Sequence, residues 1–300
     1  MPGRSARVCC SLDTMSFATD LILALEHATA GRPIARVRAL HLPPAEAAAS
    51  KSGEFCALEL DDGALGISFV LLGDTLSQLV QAKDMDGVIG MDALQLAREF
   101  ARPRSDSADP AADLRRTLGF AAANALSRTV MDRLGFTPPR ASGPLGGIEP
   151  QAGDHIGMIG LFTPLLPQLL PQLAEAGARL TVIELNPEQV GNHDGYRVTL
   201  DAGELGTCNK VLSTSTILLN HTVDSMLAHC RQASHIALIG PSAGCLAQPL
   251  FARGVSLIGG SWVSDRAGFI DALRRGESWG QFAYKFALTA ADWPDAVDRR

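Results

Sequence analysis

Five short and almost wholly apolar runs, at residues 156–160, 180–185, 211–214, 236–240 and 255–259, punctuate the second half of the chain. Continuous apolarity, as opposed to alternation, marks strands covered on both faces, and the gaps between the runs are long enough for a crossover helix each time. Helices are expected at 165–176, 217–230, 246–252 and 267–275, with Pro171 kinking or shortening the first. Right-handed crossovers place such helices on both faces of a parallel sheet. This half therefore reads as an α/β, Rossmann-like domain whose ligands belong outside the carboxyl ends of the strands.

The first half has a different texture. Residues 33–42, 54–60 and 64–72 read as three strands, the last two joined by the hairpin turn Asp61-Asp62-Gly63. Helices follow near 75–82 and 91–101, then a long one over 111–134, where Leu114, Leu118, Ala122, Leu126, Val130 and Leu134 recur every four residues as one buried stripe and Gly135 supplies a stop. Residues 137–154 hold four prolines and four glycines and break the pattern, so the division falls into an α+β domain over 1–140 and the Rossmann-like domain over 141–300.

Three hundred residues suit two packed domains with ample core. A net charge of −6 disfavours a nucleic-acid partner, and the lack of any apolar run of about 20 residues disfavours a membrane one. With no signal-like opening, the expectation is a soluble cytoplasmic protein. Six cysteines without a C-x-x-C pair exclude a disulfide scaffold and the usual structural zinc patterns, although the adjacent Cys9 and Cys10 have the chemistry of soft-metal ligands.

Chemistry is sought in the loops that follow the strands. Gly157 and Gly160 allow close backbone approach before Phe162, with Thr163 as a cap and Pro164 at a first helical position; the same features serve an anion or a plain tight turn. Glu184 ends the second strand where a nucleotide-binding domain puts its ribose carboxylate, with Asn186 beside it. Thr214, Ser215 and Thr216 offer more hydroxyls than one helix cap needs, and Asn220 lies just beyond. Gly240-Pro-Ser-Ala-Gly244 matches a nucleophile elbow, but no histidine follows Ser242, so the triad order of that class fails. Among metal-ligand types, Cys245 and His193 sit in expected loops and are the metal candidates, whereas His229 and His235 read as structural.

The segments GMIGLFTPLLPQL, ARLTVIELNP, VLSTSTILLNHTVDSML, HIALIGPSAG and LFARGVSLIGGSWVSD, in this order and spacing, resemble a heavy-metal-chelation domain family of unknown function, and residues 119–126 resemble the end of that family's first domain. The resemblance implies an enolase-N-terminal-like first domain, a Rossmann-like second one and a ligand site in the cleft between them. It assigns Phe162, Pro164, Glu184, Asn186, Thr214, Thr216, Asn220, Gly240, Pro241 and Ser242 to that site, with Asn124 approaching from the first domain. Where the family continues with threonine and proline after Gly-Pro-Ser, this chain has Ala243-Gly244-Cys245.

Two functions follow. One is binding of a transition metal or metal chelate, in metallophore or metal-cofactor metabolism. The alternative is an enzyme using a nucleotide-type ligand, NAD or S-adenosylmethionine, although no general base is identifiable for it. A homodimer is the expected assembly.

Overall fold

The computed structural model describes residues 15–49, 54–70, 75–81, 87–103 and 111–294; Cys9 and Cys10 lie outside them. Helix α1 (Phe17–Thr29) opens the described chain, capped by the Ser16 side chain, which accepts from the Thr19 amide. Strands β1 (Val37–His41), β2 (Phe55–Leu60) and β3 (Leu65–Phe69) then form an antiparallel meander. Helices α2 (Thr75–Gln81), α3 (Ala93–Ala97) and α4 (Ala112–Arg133) follow. The second half contributes β4 (His155–Ile159), α5 (Leu166–Ala176), β5 (Arg179–Ile183), β6 (Gly191–His193), β7 (Tyr196–Thr199) and β8 (Lys210–Thr214). It continues through α6 (Thr216–Leu219), α7 (Val223–His229), β9 (His235–Ile239), α8 (Gln248–Phe251), β10 (Leu257–Val263), α9 (Arg266–Arg274) and β11 (Ala283–Thr289).

The large sheet has the order β11-β10-β9-β8-β4-β5-β7-β6. Its six inner strands are parallel, and β11 and β6 are antiparallel at the two edges. Building outward from β4, the chain adds β5 and β7 on one side and then β8, β9 and β10 on the other, so the direction of winding reverses between β4 and β8. That reversal opens a crevice at the carboxyl ends of these two strands. The α/β class expected from the apolar runs holds, as does a smaller, antiparallel partner sheet. The β6–β7 hairpin and β11 were not expected, because edge strands with one wet face lack the continuous apolarity that marked the others.

Three details depart from the sequence reading. The helix expected over 217–230 is two, α6 and α7, because Asn220 Oδ1 accepts from the Thr222 amide (3.1 Å) and hydroxyl (2.6 Å) and His221 adopts a left-handed φ of 59°. The run expected at 255–259 begins later and pairs as far as Val263 with β11. Helix α4 is not buried along one stripe: every residue from Arg116 to Met131 except Arg128 is buried.

That helix lies between the two sheets. One apolar cluster runs continuously from β2 through α4 to Val211, Ile236 and Ile258 on one face of the large sheet, while Ile156, Met158, Val182 and α5 form the core on the other. Helix α9 covers the far face of the small sheet through Phe269 and Leu273. Residues 139–141 add a further bridge to the large sheet, with Ala141 N donating to Lys285 O (2.9 Å) and Ala287 N to Pro139 O (3.1 Å). Arg253 ties α1 to the second half, reaching Asp20 and Asp224 at 2.7 Å each.

Close approach sets the residue at one point of this packing. A Cβ on Gly66 in β3 would overlap the Ala121 carbonyl oxygen and the Ala125 amide nitrogen of α4, both backbone atoms that cannot swing aside. Gly66→Ala is expected to lower stability by about 2 kcal/mol or more, read as a shifted urea midpoint, as overpacking does where neither partner can give.

At the amino ends of β4 and β8, Asp154 accepts from Lys210 Nζ, Asn209 Nδ2 and Gln151 N, each at 2.7 Å. Burial alone would raise its pKa, but these hydrogen bonds outweigh it and hold the carboxyl below its ordinary value. The adjacent His155 ring lies between the Thr181 and Thr207 hydroxyls (2.9 and 3.0 Å), and burial together with Arg179 depresses its pKa. A depressed histidine is harder to protonate folded than unfolded, so stability is expected to fall as pH drops below about 6.5. Urea melts at pH 7.5 and 5.5 should show the loss, and His155→Gln should shrink it; equal loss in both proteins would assign the effect elsewhere, with buried His41, depressed chiefly by desolvation, the next candidate.

Candidate ligand site at the carboxyl edge

The loops after β4, β5, β8 and β9 touch one another. Gly160 adopts φ +77°, and a Cβ there would sit 2.7 Å from Thr214 Oγ1, so the β4 and β8 loops can meet only through a glycine. Gly240 likewise abuts Ser215, where a Cβ would overlap the hydroxyl, and Ser215 N donates to Ile239 O at 2.8 Å. Glu184 closes the other side: its two oxygens accept from Leu161 N (2.8 Å) and Leu185 N (2.7 Å). The carboxylate expected on a ribose thus already holds two loops in place.

Of the residues singled out from the sequence, Gly160, Glu184, Thr214, Ser215, Thr216 and Gly240 share this rim. Thr214 and Thr216 are half-buried, Phe162 packs half-buried beside Leu161 against the α5 core, and Pro164 is exposed. Gly157 is not in the loop: it is the third residue of β4, and its missing side chain makes room for Leu205 and Cys208. Thr163 begins a 3-10 turn without capping it. Asn186 caps a separate short turn by accepting from Glu188 N (3.0 Å), and the Asn220 carbonyl oxygen is engaged with Thr222 as described.

Beyond β9 the rim meets α4. Asn124, buried, donates from Nδ2 to Ile67 O in the small sheet (2.7 Å) and to Ser242 O in the β9 loop (3.0 Å), bridging the two halves of the molecule. Asn124 Oδ1 and Ser242 Oγ are buried without a protein partner. A cavity of about 30 Å³ lies at this junction, lined among others by Asn124, Arg128, Pro241, Cys245 and Ser261. That is room for an ordered water or two. Ser242 itself is fully buried, unlike a nucleophile that must meet substrate.

Sequence reasoning missed Ser127 and Arg128. Ser127 Oγ accepts from Leu246 N (3.0 Å), and Arg128 donates to Val263 O (3.2 Å) while its guanidinium lies 3.7 Å from the Trp262 ring centroid. With Asn124 they occupy i, i+3 and i+4, a polar line on an otherwise alanine-rich helix that signals a facing surface.

The two metal candidates do not come together. Cys245 is buried and its thiol is pushed up to about 12 by desolvation. His193 is exposed on β6, stacked on Tyr196, with Nε2 2.9 Å from Gln189 O. Strand β6 is five strands from β9, about 24 Å at about 4.8 Å per strand. Among the described residues no three His, Cys, Asp or Glu side chains are grouped to hold an ion. The donor set at the rim and the α4 junction does not fit a bare metal ion. No helix among the described residues is long and apolar enough to cross a membrane.

Fold and edge together define an α/β protein of two packed sheets, with a polar rim where the winding of the large one reverses. Residues 146–292 match the model of the DUF364 family, described as "Putative heavy-metal chelation". The structure is similar to that of a DUF364 protein of unknown function from Pyrococcus horikoshii, at 20% identity and a TM-score of 0.64, over 91% of this chain and 100% of that one. A DUF364 protein of unknown function from Desulfitobacterium hafniense DCB-2 is similar at 19% identity and a TM-score of 0.64, over 90% of this chain and 99% of that one. At such identities the likeness is one of fold. No curated protein matches the sequence.

The Asn124 bridge is open to test. Asn124→Ala leaves two buried carbonyls short of a donor and is expected to cost about 2–3 kcal/mol by urea unfolding. Asn124→Asp sets a carboxylate against the same two oxygens, which raises the folded-state pKa of the new acid, so its deficit relative to wild type should be largest at neutral pH and shrink toward pH 4. A deficit independent of pH would show that the side chain does not face those carbonyls.

Proposed function

We propose that the chain binds a metal in the form of an organic chelate, at the rim formed by the loops after β4, β5 and β8. The observation that carries this is the character of the groups there: half-buried hydroxyls at Thr214 and Thr216, main-chain groups, and one carboxylate already accepting two amides. Such a surface offers hydrogen bonds, and not a set of lone pairs, to its ligand. A complex whose metal is already saturated needs only hydrogen bonds from the protein, whereas a bare ion needs three or four converging donors. The family's description supports a metal-related ligand, and the reversal point supports a small molecule at this edge. Nothing at the rim supports the nucleotide alternative, since Glu184 is committed to its loops and the glycine pattern is incomplete.

The reading is tested by thermal unfolding with iron, nickel, copper, zinc and molybdate, each presented bare and as citrate and catecholate complexes. At a concentration of about 100 times Kd, a bound chelate should add about 2.7 kcal/mol and raise Tm by about 4 °C. Thr216→Val should remove most of that rise and leave the unliganded Tm nearly unchanged. Equal shifts with bare ions, or none with any complex, would overturn the proposal.

A further inference from the structure

The 3-10 turn Ala202–Thr207 and helix α7 lie side by side, and each ends on a cysteine. Cys208 is the residue after the turn and Cys230 the residue after the helix. Contacts on both sides of the two cysteines hold the segments together: a Cβ on Gly206 would lie 3.8 Å from His229 O, and Asn209 O accepts from the amide (2.9 Å) and hydroxyl (3.1 Å) of Ser234. Both sulfurs are buried, in an apolar cluster that includes Leu205, Val211 and Val223. Each thiol makes only a weak contact with a carbonyl of its own segment, Cys208 with Glu204 O at 3.5 Å and Cys230 with Met226 O at 3.3 Å. Gly157 keeps the space beside the first sulfur open, since a Cβ there would lie 3.1 Å from Cys208 Sγ.

We propose that Cys208 and Cys230 form a two-thiol site for a soft divalent cation that accepts linear coordination, with mercuric ion as the probe. Burial pushes Cys208 up to about 11 and Cys230 up to about 12, the latter also through the nearby Cys208. A lone thiolate is therefore costly here. Binding of the cation releases one proton from each sulfur and forms two metal–sulfur bonds, M²⁺ + 2 RSH → M(SR)₂ + 2 H⁺. The product is neutral, so the apolar wall that resists one thiolate does not resist the bis-thiolate. Zinc would want two more donors, and no third such group is clustered here among the described residues. The site is separate from the carboxyl-edge rim, and either proposal can fail without the other.

The test uses the full-length chain with Cys9→Ser and Cys10→Ser, equilibrated with one equivalent of mercuric ion in the presence of an excess of a competing monothiol. Retention of one mercury per chain, release of two protons and two sulfur neighbours by X-ray absorption are expected. Cys208→Ala and Cys230→Ala, each added to this background, should weaken retention by at least about 100-fold, the gain that two tethered donors have over one. Cys56→Ala and Cys245→Ala should not. Retention lost instead through Cys56 or Cys245, or a single sulfur neighbour, would overturn the proposal; the absorption measurement needs neither alanine variant to fold.

Discussion

Helix α4 meets protein on nearly every side over four turns, and the rest of the molecule is arranged around that fact. Such a helix cannot keep a polar face for water, so its sequence is dominated by alanine at 121–123 and 125, with glycine at 119 where Phe100 crosses and large side chains only where a neighbour leaves room. The small sheet packs on one side and the β9 and β10 loops on the other. Because the apolar cluster passes through α4 without interruption, separating the halves would expose core and not a wet boundary, unlike the polar interfaces across which domains ordinarily move. Of the polar side chains that α4 buries, Asn124 and Ser127 each find a backbone partner across the junction.

The carboxyl edge follows a related economy. Its polar side chains are used first to hold loops: Glu184 on two amides, Asn186 and Asn220 on their own turns, and Ser215 against a glycine. What is left toward solvent is a rigid surface of hydroxyls and main-chain groups. Rigidity of this kind favours a ligand recognised by shape and hydrogen bonding, since little ordering remains to be done on binding. The same commitments argue against direct ligation by this rim.

The parallel core was legible because its strands are apolar on both faces, and that signal does not depend on context. Helix α4 was legible as a helix but not as a fully enclosed one, since its four-residue leucine pattern describes one face and says nothing about what covers the alanines. The edge strands were not readable: β6 is three residues long and β11 alternates through Tyr284, Phe286 and Leu288 in a stretch that resembles any partly exposed segment. Helix α1 carries its own periodic signal in Phe17, Leu21 and Leu25, but three apolar positions near the chain start are too few to mark a helix without its packing partners. The rim positions at Gly160, Thr214 and Gly240 followed from strand ends alone. The partners of Glu184 did not, because a carboxylate's neighbours are set by which loops the sheet order makes adjacent.

The segment that joins the halves also serves as a rung of the large sheet. Residues 139–141 lie along β11 on the side away from β10, Tyr284 donates its hydroxyl to Pro138 O, and Arg140 stacks on the Tyr284 ring. A fragment cut to the 146–292 match would lose this cover and leave the open main-chain groups of an outer strand, the usual template for sticking to another copy. The matched segment is thus shorter than the unit whose outer strand is covered, and the linker is part of that unit's wall.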